Sequence, residues 1–147
     1  MNPIFLIRLI LAAVFLLSGF EKLISPYQNF LYVLQSYQLP FPSVLENVLA
    51  HIVPWIEFLV GIFLLTGLWL NISACAALIF FTSFITIVGQ AIARHLPIDK
   101  CGCFGDAVSV PLPVMFSIDT FLWLLTLVLV TNIPKAKFLS LDAWFEK

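Results

Sequence analysis

Four apolar runs, each close to the length of about 20 residues that a helix needs to cross a bilayer, dominate this sequence. They cover residues 4–20, 52–70, 72–93 and 114–133, and the very short connection between the second and the third predicts a tight antiparallel hairpin. Backbone groups in lipid have no water to bond, so such segments must close their hydrogen bonds internally as helices. The runs lack the alternation of a small membrane barrel. We predict an all-α fold, a four-helix transmembrane bundle that forms a single membrane domain over residues 1–147.

The composition agrees with a membrane protein and excludes other classes. The chain is 62% hydrophobic and 10% charged, with a mean hydropathy of +1.09. A soluble domain carries about a quarter charged residues, so this chain has too little polar surface to cover a globule in water. The net charge of −1 and the lack of a basic patch argue against a nucleic-acid partner. The expected surroundings are the lipid bilayer.

The first run has the length of a secretory signal, but its flanks indicate an uncleaved transmembrane helix. No basic leader precedes it, no A-x-A-like site follows it, and three further spans come after it. The stretch "NFLYVLQSY" that follows predicts an amphipathic segment lying in the interface between the first two spans. Ser43, with Glu46 three residues later, has the pattern of a capping box. We therefore expect the second helix to begin near Val44 and to kink at Pro54.

The positive residues near the ends of the spans predict the orientation of the bundle. One end carries Arg8, Lys135, Lys137 and Lys147, and the other carries Lys22, Arg94 and Lys100. This difference favours both termini in the cytoplasm of a bacterial inner membrane and a periplasmic loop after the third span. Arg8 is expected to snorkel to its membrane face. The tail, residues 134–147, is typical of a short amphipathic surface helix.

If the helices alternate in direction, most ionisable residues near the spans fall at one end of the bundle. These residues are Lys22, Glu57, Arg94, His95 and Asp119. Charges within spans cost several kcal/mol unless they are paired or hydrated. Glu57, expected one turn inside its helix, either pins the bundle through an ion pair or lines a polar pocket and moves protons for thiol chemistry. For Asp119 we favour a structural role in the first helical turn, where a carboxylate suits the helix dipole.

The stretch "KCGCFGD" adds two thiols, Cys101 and Cys103, at this same end. The ring that they can close is small and strained, and Gly102 tolerates the unusual backbone that it requires. Strained, exposed disulfides are labile and gain little stability, so a redox dithiol is the favoured interpretation. Lys100, Arg94 and His95 would favour the reactive thiolate, whereas Asp99 and Asp106 would oppose it.

Other interpretations of the two cysteines stay open. They could form an inert turn or a structural disulfide, or they could bind a metal completed by His95, Asp99 or Asp106. The usual spacing of paired zinc ligands is missing, so no metal is predicted. Cys75 lies about 26 Å along the third helix from that helix's end and cannot pair with them. We expect it to be a small buried apolar residue.

The sequence resembles the MauE/DoxX group of redox-associated membrane proteins over essentially its whole length. The motif "CGCFG", which ends with Gly105, carries the most specific part of the resemblance. The other matching residues are Gly19, Lys22 and Pro26 in and after the first span, and Pro54, Glu57, Gly61 and Gly67 in the second. The resemblance implies a thioredoxin-like periplasmic partner or an exported client, with Cys101 and Cys103 as the exchanging pair.

A single cysteine pair provides only one redox centre, so the second electron carrier must be another molecule. We expect a bound quinone, with its head group near Lys22, Glu57 and Trp55, or a partner protein. A competing hypothesis is a non-catalytic small subunit that anchors a larger membrane complex, in which the cysteine motif is only a tight contact loop.

Overall fold

The computed structural model describes residues 2–98, 110–137, 140–141 and 144. These residues form the helices α1 (Pro3–Ile24), α2 (Tyr27–Ser36), α3 (Ser43–Thr66), α4 (Leu70–Ala93), α5 (Leu112–Thr131) and α6 (Ile133–Ala136). Four of them, α1, α3, α4 and α5, are long and apolar enough to cross a membrane. The predicted all-α fold with four spans is therefore confirmed. The protein is a multi-pass membrane protein whose outer surface contacts the bilayer.

Each of the four long helices begins before the apolar run that predicted it, and α3 and α5 also end before their runs do. α1 continues to Ile24 and so includes Lys22, and α3 begins at Ser43 and runs on through Pro54. Hydropathy marks only the apolar part of a helix, whereas backbone hydrogen bonding carries it into polar residues. The expected start near Val44 is correct, but the capping box is wrong. Ser43 is already the first helical residue, and the preceding Pro42 offers no side-chain acceptor.

The spans pack mainly as two pairs, α1 on α3 and α4 on α5. α3 and α4 are joined only by residues 67–69, as the sequence predicted for a tight hairpin. Gly67 ends α3 with a φ of 70°, and Trp69 precedes α4 with a φ of 47°. The left-handed backbone at Gly67 suits a residue without a side chain and stops the helix within one residue.

Two glycines bring α1 and α3 into close contact. A Cβ on Gly19 would lie 2.7 Å from the backbone nitrogen of Phe58, and one on Gly61 would lie 2.8 Å from that of Leu16. Small residues allow membrane helices to approach until their backbones touch. This separation places polar side chains of α1 within direct reach of α3.

The start of α1 and the tail lie at the same end of the bundle. The Asn2 amide donates to the Lys135 carbonyl at 3.2 Å, and the Arg8 guanidinium donates to the Ala136 carbonyl at 2.7 Å. Arg8 is only 1% exposed, so the expectation that it snorkels is wrong. Its guanidinium donates instead to carbonyls near helix ends inside the protein, that of Ala136 and, at 3.5 Å, that of Leu65.

A further expectation about side-chain burial fails. Cys75 is exposed on α4 and is not a buried apolar residue, because its position faces away from the packed side of the helix. In the described part of the tail, Ala136 and Ser140 are buried, whereas Trp144 is exposed. Ser140 lies beside Gly67, where a side chain would clash with it.

Candidate functional site

A buried ion pair joins α1 to α3 in the half of the bundle where α1 ends. The Lys22 ammonium lies 2.8 and 3.0 Å from the two carboxylate oxygens of Glu57, and both side chains are only 1% exposed. Ser18, one turn before Lys22, donates its hydroxyl to Glu57 at 3.4 Å and accepts from Lys22 at 3.1 Å. The three side chains form a connected polar group in an otherwise apolar interior.

The local sequence explains why this pair forms. Ser18 and Lys22 are four residues apart and so share one face of α1. Gly19 and Gly61 hold that face against α3, where Glu57 is buried. Without the close backbone contact at these glycines, the ammonium could not reach the carboxylate directly.

Aromatic rings enclose the cationic end of the pair. The Lys22 ammonium lies 5.0 Å from the centre of the Phe30 ring, contributed by α2, and 5.3 Å from that of Phe84 in α4. Both distances fall within the range of a cation–π contact. α2 thus covers the membrane-embedded pair from the side where α1 ends.

A third ionisable side chain, Asp119 on α5, faces the same interior. It is 2% exposed, and its buried Oδ2 has no hydrogen-bond partner among the described residues. With Ser18 and Glu57 it lines a cavity of about 20 Å³ whose other walls are apolar. Asp119 lies two turns into α5, so its expected place in the first turn is wrong: the helix begins at Leu112.

Tyr37, just after α2, is a further buried ionisable side chain that interacts with Asp119. It is buried with Val88, Ala91, Leu112 and Met115 in a cluster that joins α2, α4 and α5. Burial raises the pKa of Tyr37 to about 12, and the nearby charge of Asp119 adds to the shift. The phenol therefore stays protonated at any working pH.

The family model described as methylamine utilisation protein MauE matches residues 2–132. The chain belongs to the MauE family. This match supports the MauE part of the resemblance and gives the DoxX part no support. No curated protein and no solved structure gives a significant match.

Four residues of the MauE resemblance converge on the ion pair. Lys22 and Glu57 form it, and Gly19 and Gly61 allow it to form. The two alternatives for Glu57 are both compatible with this geometry, because the pair pins α1 to α3 and also borders a polar cavity. Glu57 lies in the middle of α3 rather than one turn from its end, since the helix starts well before the apolar run.

The cysteine motif of this MauE protein lies outside the described residues. This applies to Cys101, Gly102, Cys103 and Gly105, as well as to the neighbouring charged residues Asp99, Lys100 and Asp106. The described residues on either side, Ile98 and Val110, both pack against the cluster around Tyr37. The described chain therefore stops and resumes next to the same cluster on either side of the motif.

The two predicted basic residues at the end of α4 are exposed and separate from the ion pair. Arg94 donates to the backbone carbonyl and the side-chain oxygen of Gln38, at 3.3 and 3.4 Å, and so ties α4 to the segment after α2. His95 adopts a φ of 50° and lines an open groove of about 470 Å³ between the end of α4 and the start of α5.

The region predicted for a quinone head group has little free space among the described residues. Lys22 and Glu57 are enclosed by protein, and the cavity beside Glu57 measures about 20 Å³. Trp55 is 59% exposed on the outer side of α3.

Sequence reasoning missed two residues that matter at these sites and the partners of a third. Ser18 was missed although it lies one turn from Lys22, which is the spacing that could have indicated it. Tyr37 was missed because its burial depends on α4 and α5, which lie far away in the chain. Arg8 was noticed, but its long-range carbonyl partners could not be read from the sequence.

Proposed function

We propose that this MauE-family membrane protein is a thiol–disulfide redox accessory protein that acts through Cys101 and Cys103. One observation carries the proposal. The residues that flank the motif, Ile98 and Val110, pack on the cluster that includes Met115, and Met115 also lines the cavity of Glu57 and Asp119. The described residues on both sides of the motif thus lie next to the part of the bundle that buries Glu57 and Asp119.

The exchange that we propose is balanced within the pair and its partner. A thiolate of the partner attacks one sulfur of the Cys101–Cys103 disulfide and forms a mixed disulfide, and the other cysteine leaves as a thiolate. The second partner thiol then attacks the mixed disulfide. Two electrons and two protons pass from the partner to the pair, and the reverse sequence would oxidise the partner.

The partner is proposed to be a thioredoxin-like or other exported protein on the periplasmic side of a bacterial inner membrane, with both termini of this chain in the cytoplasm. The balance of positive residues supports this orientation. The electrons of the pair would pass onward to a quinone or to a second protein. Because the cavity at Glu57 is small, a quinone would have to bind elsewhere on the bundle, and the groove beside His95 is large enough to admit a ring.

Differential alkylation in native membranes tests the proposal, with mass spectrometry on Cys101 and Cys103 across a series of redox buffers. We expect the pair to interconvert reversibly between dithiol and disulfide. Cys75→Ser is the matched control, because this exposed thiol lies near the opposite end of α4 and should leave the redox behaviour of the pair unchanged.

Replacing both motif cysteines by serine separates the proposal from the alternative of a non-catalytic anchor. The redox proposal requires loss of thiol exchange with the membrane assembly intact. Unchanged function in the double variant, or thiols that stay reduced in every oxidising buffer, would leave the anchoring role as the better account.

A further inference from the structure

The buried polar group has one cation for two carboxyl groups. Lys22 is the only lysine or arginine among the described residues that contacts Glu57, and its charge also acts on Asp119. If both carboxyls were ionised, the interior would hold an uncompensated negative charge, which costs several kcal/mol in a bilayer. Charge balance therefore requires one bound proton.

The contacts indicate which carboxyl holds that proton. Glu57 accepts from Lys22 through both oxygens and also from Ser18, so its ionised form is well supported. Asp119 has a buried Oδ2 with no donor among the described residues. A neutral carboxylic acid needs no cation and can donate one hydrogen bond itself.

The cavity between the two carboxyls can supply the acceptor for that hydrogen bond. Its volume of about 20 Å³ exceeds the ~10–15 Å³ that one water molecule occupies by this measure. Ser18, Glu57 and Asp119 give such a water the two to four polar partners that buried waters usually have. The remaining walls are apolar, with Phe81 and Phe84 contributed by α4. Among the described residues, no other polar side chain lines the cavity.

We propose that this cavity binds one water molecule that links Asp119 to Glu57, and that the two carboxyls share a single exchangeable proton. In the resting form the Asp119 carboxyl donates to the water oxygen, and the water donates to the Glu57 carboxylate. Transfer along this line moves one proton to Glu57 and leaves Asp119 as the carboxylate. The site is a proton store within the bundle, and it does not depend on the thiol chemistry proposed above.

The polar side chains that face this site come from α1, α3 and α5, because α4 lines the cavity only with phenylalanines. α1 contributes Lys22 and Ser18, α3 contributes Glu57, and α5 contributes Asp119. Tyr37, after α2, interacts electrostatically with Asp119 and stays neutral because burial raises its pKa to about 12. When the site gains or loses a proton, the charge that changes is therefore that of the Glu57 and Asp119 carboxyls.

Infrared spectroscopy of the wild-type protein in lipid vesicles at neutral pH tests the proposal by counting protonated carboxyls. We expect a carboxylic-acid C=O band that corresponds to one group and that is lost in Asp119→Asn, a variant of the same size. Glu57→Gln should also abolish the band, because Lys22 then has Asp119 as its remaining carboxylate. In Lys22→Met both carboxyls take up protons, so the band should grow about twofold.

Glu21→Gln is the control, since Glu21 is on the same turn of α1 but does not line the cavity. It should leave the band unchanged. The bound water should appear as an O–H stretching band that shifts in H₂¹⁸O and is altered in Asp119→Asn. The absence of a protonated-carboxyl band in the wild type, its persistence in Glu57→Gln, or a spectrum without an H₂¹⁸O-sensitive band would overturn the proposal.

Discussion

Replacement of Lys22 by methionine is the most informative perturbation of this bundle. Methionine approximates the apolar stem of the lysine, but it removes the ammonium, and with it both the charge that neutralises Glu57 and the cation–π contacts with the rings of Phe30 and Phe84. A buried carboxylate cannot stay ionised without a partner, so Glu57 in the variant must take up a proton when the protein folds.

The free-energy cost of this protonation follows from the pKa of glutamate in the unfolded chain. A glutamate with a pKa near 4.3 in the unfolded chain must be neutralised at pH 7, which costs about 3.7 kcal/mol at 1.36 kcal/mol per pH unit. This value lies within the ~3–5 kcal/mol that breaking one side of a buried ion pair generally costs. At pH 5 the same calculation gives about 1 kcal/mol. The loss of stability should therefore shrink as the pH falls.

The assay is unfolding by sodium dodecyl sulfate in mixed micelles, followed by tryptophan fluorescence at pH 7 and pH 5. Adding Glu57→Gln to the Lys22→Met variant removes the need for a proton. The double variant should then recover to within about 1 kcal/mol of the wild type and lose the pH dependence. A single-variant loss below about 1 kcal/mol at pH 7, or one that is equal at both pH values, would refute the reasoning.

Three further predictions concern other parts of the structure. Gly61→Ala should destabilise the bundle by about 1–3 kcal/mol in the same assay because its Cβ meets backbone, whereas Gly89→Ala, which meets only a ring edge, should change stability by less than about 1 kcal/mol. Arg8→Met should free the tail, seen as faster hydrogen exchange and proteolysis after residue 132, and cost about 1.5–3 kcal/mol for the lost charged hydrogen bonds to carbonyls; an unchanged exchange rate would contradict this. Tyr37→Phe should remove the component near pH 12 from a spectrophotometric tyrosine titration. The folded state holds the phenol proton of Tyr37 more tightly than the unfolded chain does, so this proton stabilises the fold below about pH 10. That contribution to stability is lost as the pH rises through about 12, and the Tyr37→Phe variant should not show this pH-dependent loss.

Much of the architecture follows from the sequence without reference to long-range contacts. Runs of about 20 apolar residues can satisfy their backbones in lipid only as helices, so the number of spans and the hairpin between α3 and α4 could be predicted. Lys22, Glu57 and Asp119 could be predicted as unusual because a charge within a span always needs an explanation. Their presence in the same half of the bundle followed from the alternation of helix direction.

The tertiary structure decided how those residues are arranged. Hydropathy contains no information about which helices pack together, and here α1 pairs with α3 through contacts at Gly19 and Gly61 that depend on shape. That packing selected Lys22 as the partner of Glu57 and left Asp119 facing a cavity. It also buried Arg8 among carbonyls from distant parts of the chain. A sequence states which groups must be neutralised in a membrane, but only the three-dimensional packing determines which group neutralises which.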